Sequence, residues 1–172
     1  PKVYYRPQTA LIALENTHNM AGGTVYPTEV VEEICDKAHA AGIRVHLDGA
    51  RLFESAAGYG RPLAEIAALF DTVYVSFYKG IGALAGCCLA GPADVLAEVR
   101  EWRKRMGGTL HGLWPGAASA LSCLRRRLPL MPDYLAHARE IASALRGAPG
   151  VRVVPDPPQD QRTHDALAEF CF

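Results

Sequence analysis

Two kinds of hydrophobic run alternate along this chain. Residues 9–14, 43–47, 73–76 and 84–90 are short and apolar almost throughout, as buried β-strands are. Between them the apolar positions fall at helical spacing. Pro27 stands where a helix start tolerates its missing N–H. Val30, Val31, Ile34, Ala38 and Ala41 then share one face, and Gly42 ends the run. Further helices are predicted over 52–57, 63–69, 92–105, 115–127 and 133–146, with a last strand over 150–154. Gly107 and Gly108 break the fourth helix, and Pro129 and Pro132 mark a hinge.

Apolar strands alternating with helices predict an α/β fold, a mainly parallel sheet sandwiched by helices. A division near Leu128 separates part of a large domain (1–127) from the start of a small C-terminal one (128–172). The absence of an initiating methionine and the apolar ending Phe170-Cys171-Phe172 suggest a piece of something longer.

Composition narrows the partners. The 172 residues are 49% hydrophobic and 21% charged, ordinary for a globular chain. Eighteen basic and eighteen acidic side chains cancel, so no basic surplus points to nucleic acid or an anionic membrane. No apolar stretch reaches the roughly 18 residues of a membrane span, and no signal peptide is evident. Cys35, Cys87, Cys88, Cys123 and Cys171 show neither a CxxC pair nor a metal-ligand spacing. They read as small buried thiols in a reducing cytoplasm, and no metal site is expected.

The candidate chemistry sits at strand ends, where open parallel sheets bind ligands. Lys79 follows the strand over 73–76, Asp48 ends that over 43–47, and Glu15 ends that over 9–14. A lysine and an aspartate so placed suit pyridoxal phosphate. The lysine would form the Schiff base and the aspartate would keep the ring nitrogen protonated. Partial desolvation would favour the neutral amine. Taken singly, Lys79 also fits a solvated loop and Asp48 a helix N-cap. Ser76 suits a phosphate or a turn. Arg51 suits the cofactor's phenolic oxygen, a carboxylate or the solvent. His18 suits proton exchange with a substrate hydroxyl, or a backbone bond within its loop. His46 reads as a core histidine. The basic groups Arg100, Arg103, Lys104, Arg105 and 125–127 read as helix ends that complement the dipole.

Together these residues resemble the low-specificity threonine aldolases of the β-eliminating lyase family, enzymes of the aspartate-aminotransferase fold. The resemblance rests on Leu14-Glu15-Asn16-Thr17-His18-Asn19 with Gly22-Gly23, on His46-Leu47-Asp48-Gly49-Ala50-Arg51, on residues 76–86, and on Arg103-Lys104 with Gly107-Gly108. It implies a pyridoxal phosphate enzyme of fold type I, incomplete at its N-terminus, that cleaves threonine or allo-threonine to glycine and an aldehyde. Lys79 and His18 would be catalytic, and Lys79, Asp48, Arg51 and Ser76 would bind the cofactor. Glu15, Lys104 and His111 would lie at the substrate or a subunit edge. A homo-oligomer, dimer or tetramer, is implied. The family commonly has an arginine where His111 stands and a small polar run where Phe77-Tyr78 stands, so phosphate binding or substrate choice would differ. Its N-terminal Gly-Thr phosphate loop has no counterpart here. β-Elimination on the same scaffold and a truncated, non-catalytic remnant are the alternatives.

Overall fold

Strand β1 (Leu11–Glu15) pairs in parallel with β2 (Arg44–Gly49), and β2 in parallel with β3 (Thr72–Ser76). Strand β4 (Cys87–Ala90) closes the order β1-β2-β3-β4 antiparallel to β3. The computed structural model describes residues 4–159. The remaining elements are α1 (Thr28–Ala40), α2 (Leu52–Tyr59), α3 (Leu63–Ala67), α4 (Ala93–Arg105), α5 (Trp114–Arg127) and α6 (Met131–Leu145).

Alternation along each strand sorts the sheet into two faces. Ile12, Leu14, Val45, Leu47 and Val73 point to one side. There they meet Val31, Cys35 and Ala38 of α1, Leu52 of α2 and Ile66 of α3. The register puts Glu15 opposite Asp48 and Asp48 opposite Tyr74 on the other side, which is half-buried at those three residues. The buried stripe of α1 is Val31, Cys35 and Ala38, one position round from the predicted one; Val30 and Ala41 are exposed.

Helix α2 is unlike the others. Leu52, Phe53, Glu54 and Ser55 are four consecutive buried residues. Leu52 belongs to the core under the sheet. Phe53 belongs to a second core with Ile81, Ala83, Ala120, Cys123 and Met131, and so touches the loop after β3, α5 and the start of α6. A side chain on any part of this turn therefore meets protein.

Several sequence expectations shift. The fourth strand begins at Cys87, and Leu84 is 82% exposed in the preceding loop. Cys87 and Cys88 are exposed on this edge strand, whereas Cys35 and Cys123 are buried; Cys171 lies outside the described residues, as does the apolar ending. The expected hinge is a single 3₁₀ turn, Leu128–Leu130, that runs straight into α6, because Pro132 occupies a first-turn position that needs no N–H. No strand forms over 150–154: Gly150 and Pro155 confine the run, and Val151 and Val154 are exposed without a neighbouring ladder. Helix α4 forms as expected but buries none of its residues. No described helix is long and apolar enough to cross a membrane.

Two predictions follow from this packing. A β-carbon on Gly49 would stand 2.6 Å from the Tyr74 carbonyl oxygen and 3.0 Å from Leu52 Cβ. Backbone cannot yield there, so Gly49→Ala should destabilise the fold by about 1–3 kcal/mol in urea unfolding. At the entry to β3, Asp71 Oδ2 accepts the Val45 N–H at 2.7 Å and meets His39 Nε2 at 2.9 Å. The Val45 bond, then His39, hold the Asp71 carboxyl below its ordinary pKa. A depressed carboxyl stabilises above its unfolded pKa, about 3.9, and loses that contribution as pH falls through the lower folded value. The stability difference between the wild type and Asp71→Asn should therefore be full at neutral pH and shrink in acid, read from thermal midpoints across pH.

Candidate functional site

The chain leaves β2 by a sharp turn. Asp48 Oδ1 accepts the Ala50 N–H at 3.1 Å, and the Asp48 carbonyl accepts the Asn16 N–H at 3.0 Å. From β3, Ser76 Oγ donates to the Ala50 carbonyl at 2.7 Å. The turn after Asp48 is thus held from within and from the strands on both sides. Arg51 follows as the N-cap of α2, its carbonyl accepting the Ser55 N–H at 3.1 Å.

Lys79 sits in a loop that its own backbone closes. Phe77 N–H donates to the Gly86 carbonyl (2.9 Å), Ala83 N–H to the Phe77 carbonyl (2.7 Å), and Gly82 N–H to the Lys79 carbonyl (2.7 Å). Side chains grip it from two helices. On the α2 side, Glu54 Oε1 accepts the Gly80 N–H at 3.0 Å. On the α5 side, Ser119 Oγ accepts the Leu84 N–H at 3.1 Å and Cys123 Sγ reaches the Gly82 carbonyl at 3.6 Å. The Arg127 guanidinium lies over Gly82, whose φ of +67° favours glycine, and Arg127 is otherwise exposed in the last turn of α5, as expected of a solvated helix end. Lys79 itself is half-buried, with Nζ 6.0 Å from the Tyr78 ring centroid. The Tyr78 hydroxyl stands 3.4 Å from that of Tyr74, whose pKa is raised by burial and then by this neighbour.

The loop after β1 carries His18. Its backbone bridges Thr24, with His18 N–H donating to the Thr24 carbonyl at 3.0 Å. The Ala21 N–H donates to His18 Nδ1 at 3.2 Å, which in the neutral ring leaves the proton on Nε2. Nε2 lies 3.8 Å from Glu15 Oε2, and Glu15 Oε1 accepts the Asn19 N–H at 3.0 Å. Asn16 is buried and bonds the Tyr59 hydroxyl at the end of α2; burial raises the pKa of that phenol.

Sequence and structure can now be matched residue by residue. Glu15, His18, Asp48, Arg51 and Lys79 all fall at or just beyond the carboxyl ends of the three parallel strands. Ser76 is there too, but the residue is 1% exposed and its hydroxyl donates to the Ala50 carbonyl, so in this arrangement it fastens the Asp48 turn. Lys104 and His111 are exposed at the end of α4 and in the loop beyond, and no hydrogen bond or ion pair joins them to the strand-end group. His46 is half-buried and bonds Thr72 Oγ1 at 2.8 Å, as a structural histidine would. Glu54 was missed. Its signal was an acid within Leu52-Phe53-Glu54-Ser55-Ala56-Ala57, a short helix with no other charge and only one other polar residue there. Among the described residues no cluster of three or more metal-ligating side chains occurs.

Known proteins resemble this arrangement. The sequence model of the β-eliminating lyase family matches residues 1–169. Low-specificity L-threonine aldolase 1 of Arabidopsis thaliana is 33% identical over 149 residues, 87% of this chain and 42% of that protein. The solved structure of a candidate L-allo-threonine aldolase from Listeria monocytogenes aligns with a TM-score of 0.87 at 39% identity, covering 92% of this chain and 44% of that one. An aspartate aminotransferase of Thermus thermophilus, 16% identical, shares the fold with a TM-score of 0.67 over 88% of this chain and 41% of its own. The chain spans under half the length of these relatives.

The Ser76 bond is testable by itself. Ser76→Ala strands the Ala50 carbonyl in a buried turn, at a cost of about 1–3 kcal/mol in denaturant unfolding. An unchanged midpoint would refute this account of the turn.

Proposed function

The chain belongs to the β-eliminating lyase family, and from that premise we propose that it supplies the lysine-bearing part of a pyridoxal phosphate-dependent lyase. The substrate in this reading is a β-hydroxy-α-amino acid, threonine or allo-threonine, cleaved to glycine and an aldehyde. Residues 1–127 belong to the cofactor-binding large domain, 128–172 begin the small one, and the working assembly is a homo-oligomer.

One observation carries the reading. An amine and a carboxylate, Lys79 and Asp48, stand half-buried at the ends of adjoining parallel strands, beside Glu15 and His18 at the end of the next. This donor set fits the cofactor. Lys79 offers the amine that holds an aldehyde covalently, and its loop is braced on two sides. Asp48 offers a carboxylate to a protonated ring nitrogen, oriented by its bond from Ala50. Arg51 is the cation nearest in sequence to that carboxylate and would bond the phenolic oxygen. Bound there, pyridoxal phosphate supplies an electron sink for the bond pair released at the substrate α-carbon. The pair Glu15–His18 handles the hydroxyl proton. With Nδ1 engaged by Ala21 and the proton on Nε2, the neutral His18 ring donates toward the substrate oxygen, and the Glu15 carboxylate beside it is the acceptor for the hydroxyl proton. Loss of the hydroxyl proton forms the carbonyl, the Cα–Cβ bond breaks, the aldehyde departs, and a proton added to Cα gives glycine.

The test is spectroscopic and then chemical. Pyridoxal phosphate added to the purified protein should produce an absorbance band of the bound cofactor, and Lys79→Ala should abolish it. Acetaldehyde release from threonine supports the aldolase, and Asp48→Asn should slow it about 100-fold or more. Pyruvate from serine or cysteine would move the reading to β-elimination. A wild type without any band would mark a non-catalytic remnant.

A further inference from the structure

We propose that Glu54 is a positioning residue for Lys79. Its buried carboxylate fixes the peptide group on which the lysine hangs. The inference rests on the reading of Lys79 as the amine that condenses with the cofactor.

Glu54 is 4% exposed and lies on the one helix whose residues are buried in succession. A carboxylate in such surroundings is costly unless it is hydrogen-bonded. Gly80 N–H is one partner, at 3.0 Å from Oε1. Bonds to an ionised acceptor are about twice as strong as neutral ones. The atom it holds matters more than the strength. Gly80 N and Lys79 Cα belong to one rigid peptide plane. The carbonyl of that same plane, Lys79 C=O, accepts the Gly82 N–H at 2.7 Å. Both polar groups of the Lys79–Gly80 peptide are thereby engaged, one by Glu54 and one within the loop. The plane cannot rotate without breaking one of them. The brace from α5 acts elsewhere, on Gly82 and Leu84. Glu54 is therefore the side chain that sets the direction in which Lys79 leaves the backbone. With the backbone so held, condensation need order only the lysine side chain and not the peptide that carries it.

The experiment compares Glu54→Gln, which keeps an acceptor oxygen, with Glu54→Met, which keeps the volume and has none. Two quantities are read on the chain: hydrogen exchange of the Gly80 amide without cofactor, and the rate at which the cofactor band appears after pyridoxal phosphate is added. Glu54→Met should speed Gly80 exchange and slow band formation, each by roughly 10–100-fold, while Glu54→Gln stays within about 10-fold of the wild type. If Glu54→Met does not fold, Glu54→Asp, which withdraws the oxygen by one methylene, replaces it with the same expectation. A folded Glu54→Met with wild-type exchange and wild-type band formation overturns the role of Glu54 alone. A wild type that forms no band overturns the reading of Lys79, and this inference with it.

Discussion

Everything at the strand ends depends on the enclosure of helix α2. It is two turns long, and isolated helices of that length do not persist in water. It stands because Leu52 is packed under the sheet and Phe53 against Ile81, Cys123 and Met131. The consequence runs backwards along the chain. Only Ala50 and Arg51 separate β2 from α2, so the end of the strand cannot move unless the helix moves. Gly49 passes so close to the Tyr74 carbonyl that a side chain has no room. Asp48, Arg51 and Glu54, three residues apart in each step, therefore lie on one braced path that starts in the sheet and ends under the Lys79 loop.

The two loops that carry the remaining candidate groups are stiffened differently. The loop with Lys79 combines internal backbone bonds with side chains from α2 and α5, and it has a core residue, Ile81, that is fully buried. The loop with His18 has several short-range bonds of its own: His18 to Thr24, Gly23 back to His18, Ala21 to the imidazole, Asn19 to Glu15. Ile81 ties the first to the protein's main apolar contacts, so opening it disturbs a core. The second is anchored as well, with Asn16 and Thr17 buried and Gly22 close against Val154 and Pro155. In the proposed reading, the group that would hold the covalent attachment sits on the first loop, and the groups that would pass protons sit on the second.

Much of this was legible in the sequence, and the exceptions share a cause. Pro27, Gly42 and Pro92 bounded helices because each acts through its own backbone. The apolar runs located the sheet, and their ends located Glu15, Asp48 and Lys79. What failed needed knowledge of a neighbour. Leu84 looked like the start of a strand, yet the bonds of the Lys79 loop delay β4 to Cys87. Residues 150–154 had the composition of a strand but no ladder to join. Cys87 and Cys88 looked buried because a strand of small apolar residues reads as interior, and they lie on the edge strand. Between a phosphate and a turn the sequence position of Ser76 could not choose, because it did not reveal the Ala50 carbonyl beside the hydroxyl. Glu54 is the sharpest case. Periodicity marks an acid in an apolar helix as an anomaly, but only the arrival of Gly80, twenty-six residues on, gives it a purpose.

The imidazole of His18 illustrates how backbone geometry decides chemistry before any substrate arrives. A histidine at a strand end is ambiguous, because either nitrogen can hold the proton of the neutral ring. Here the turn that brings Ala21 N–H to Nδ1 resolves the choice, and it does so with main-chain atoms that no side-chain substitution at Ala21 other than proline removes. Nε2 then carries the proton and faces a carboxylate that Asn19 N–H has already oriented. In the proposed reading, proton handling is thus a property of the turn over residues 15–24 as much as of His18, and it should tolerate changes of side chain in that turn better than changes in its length.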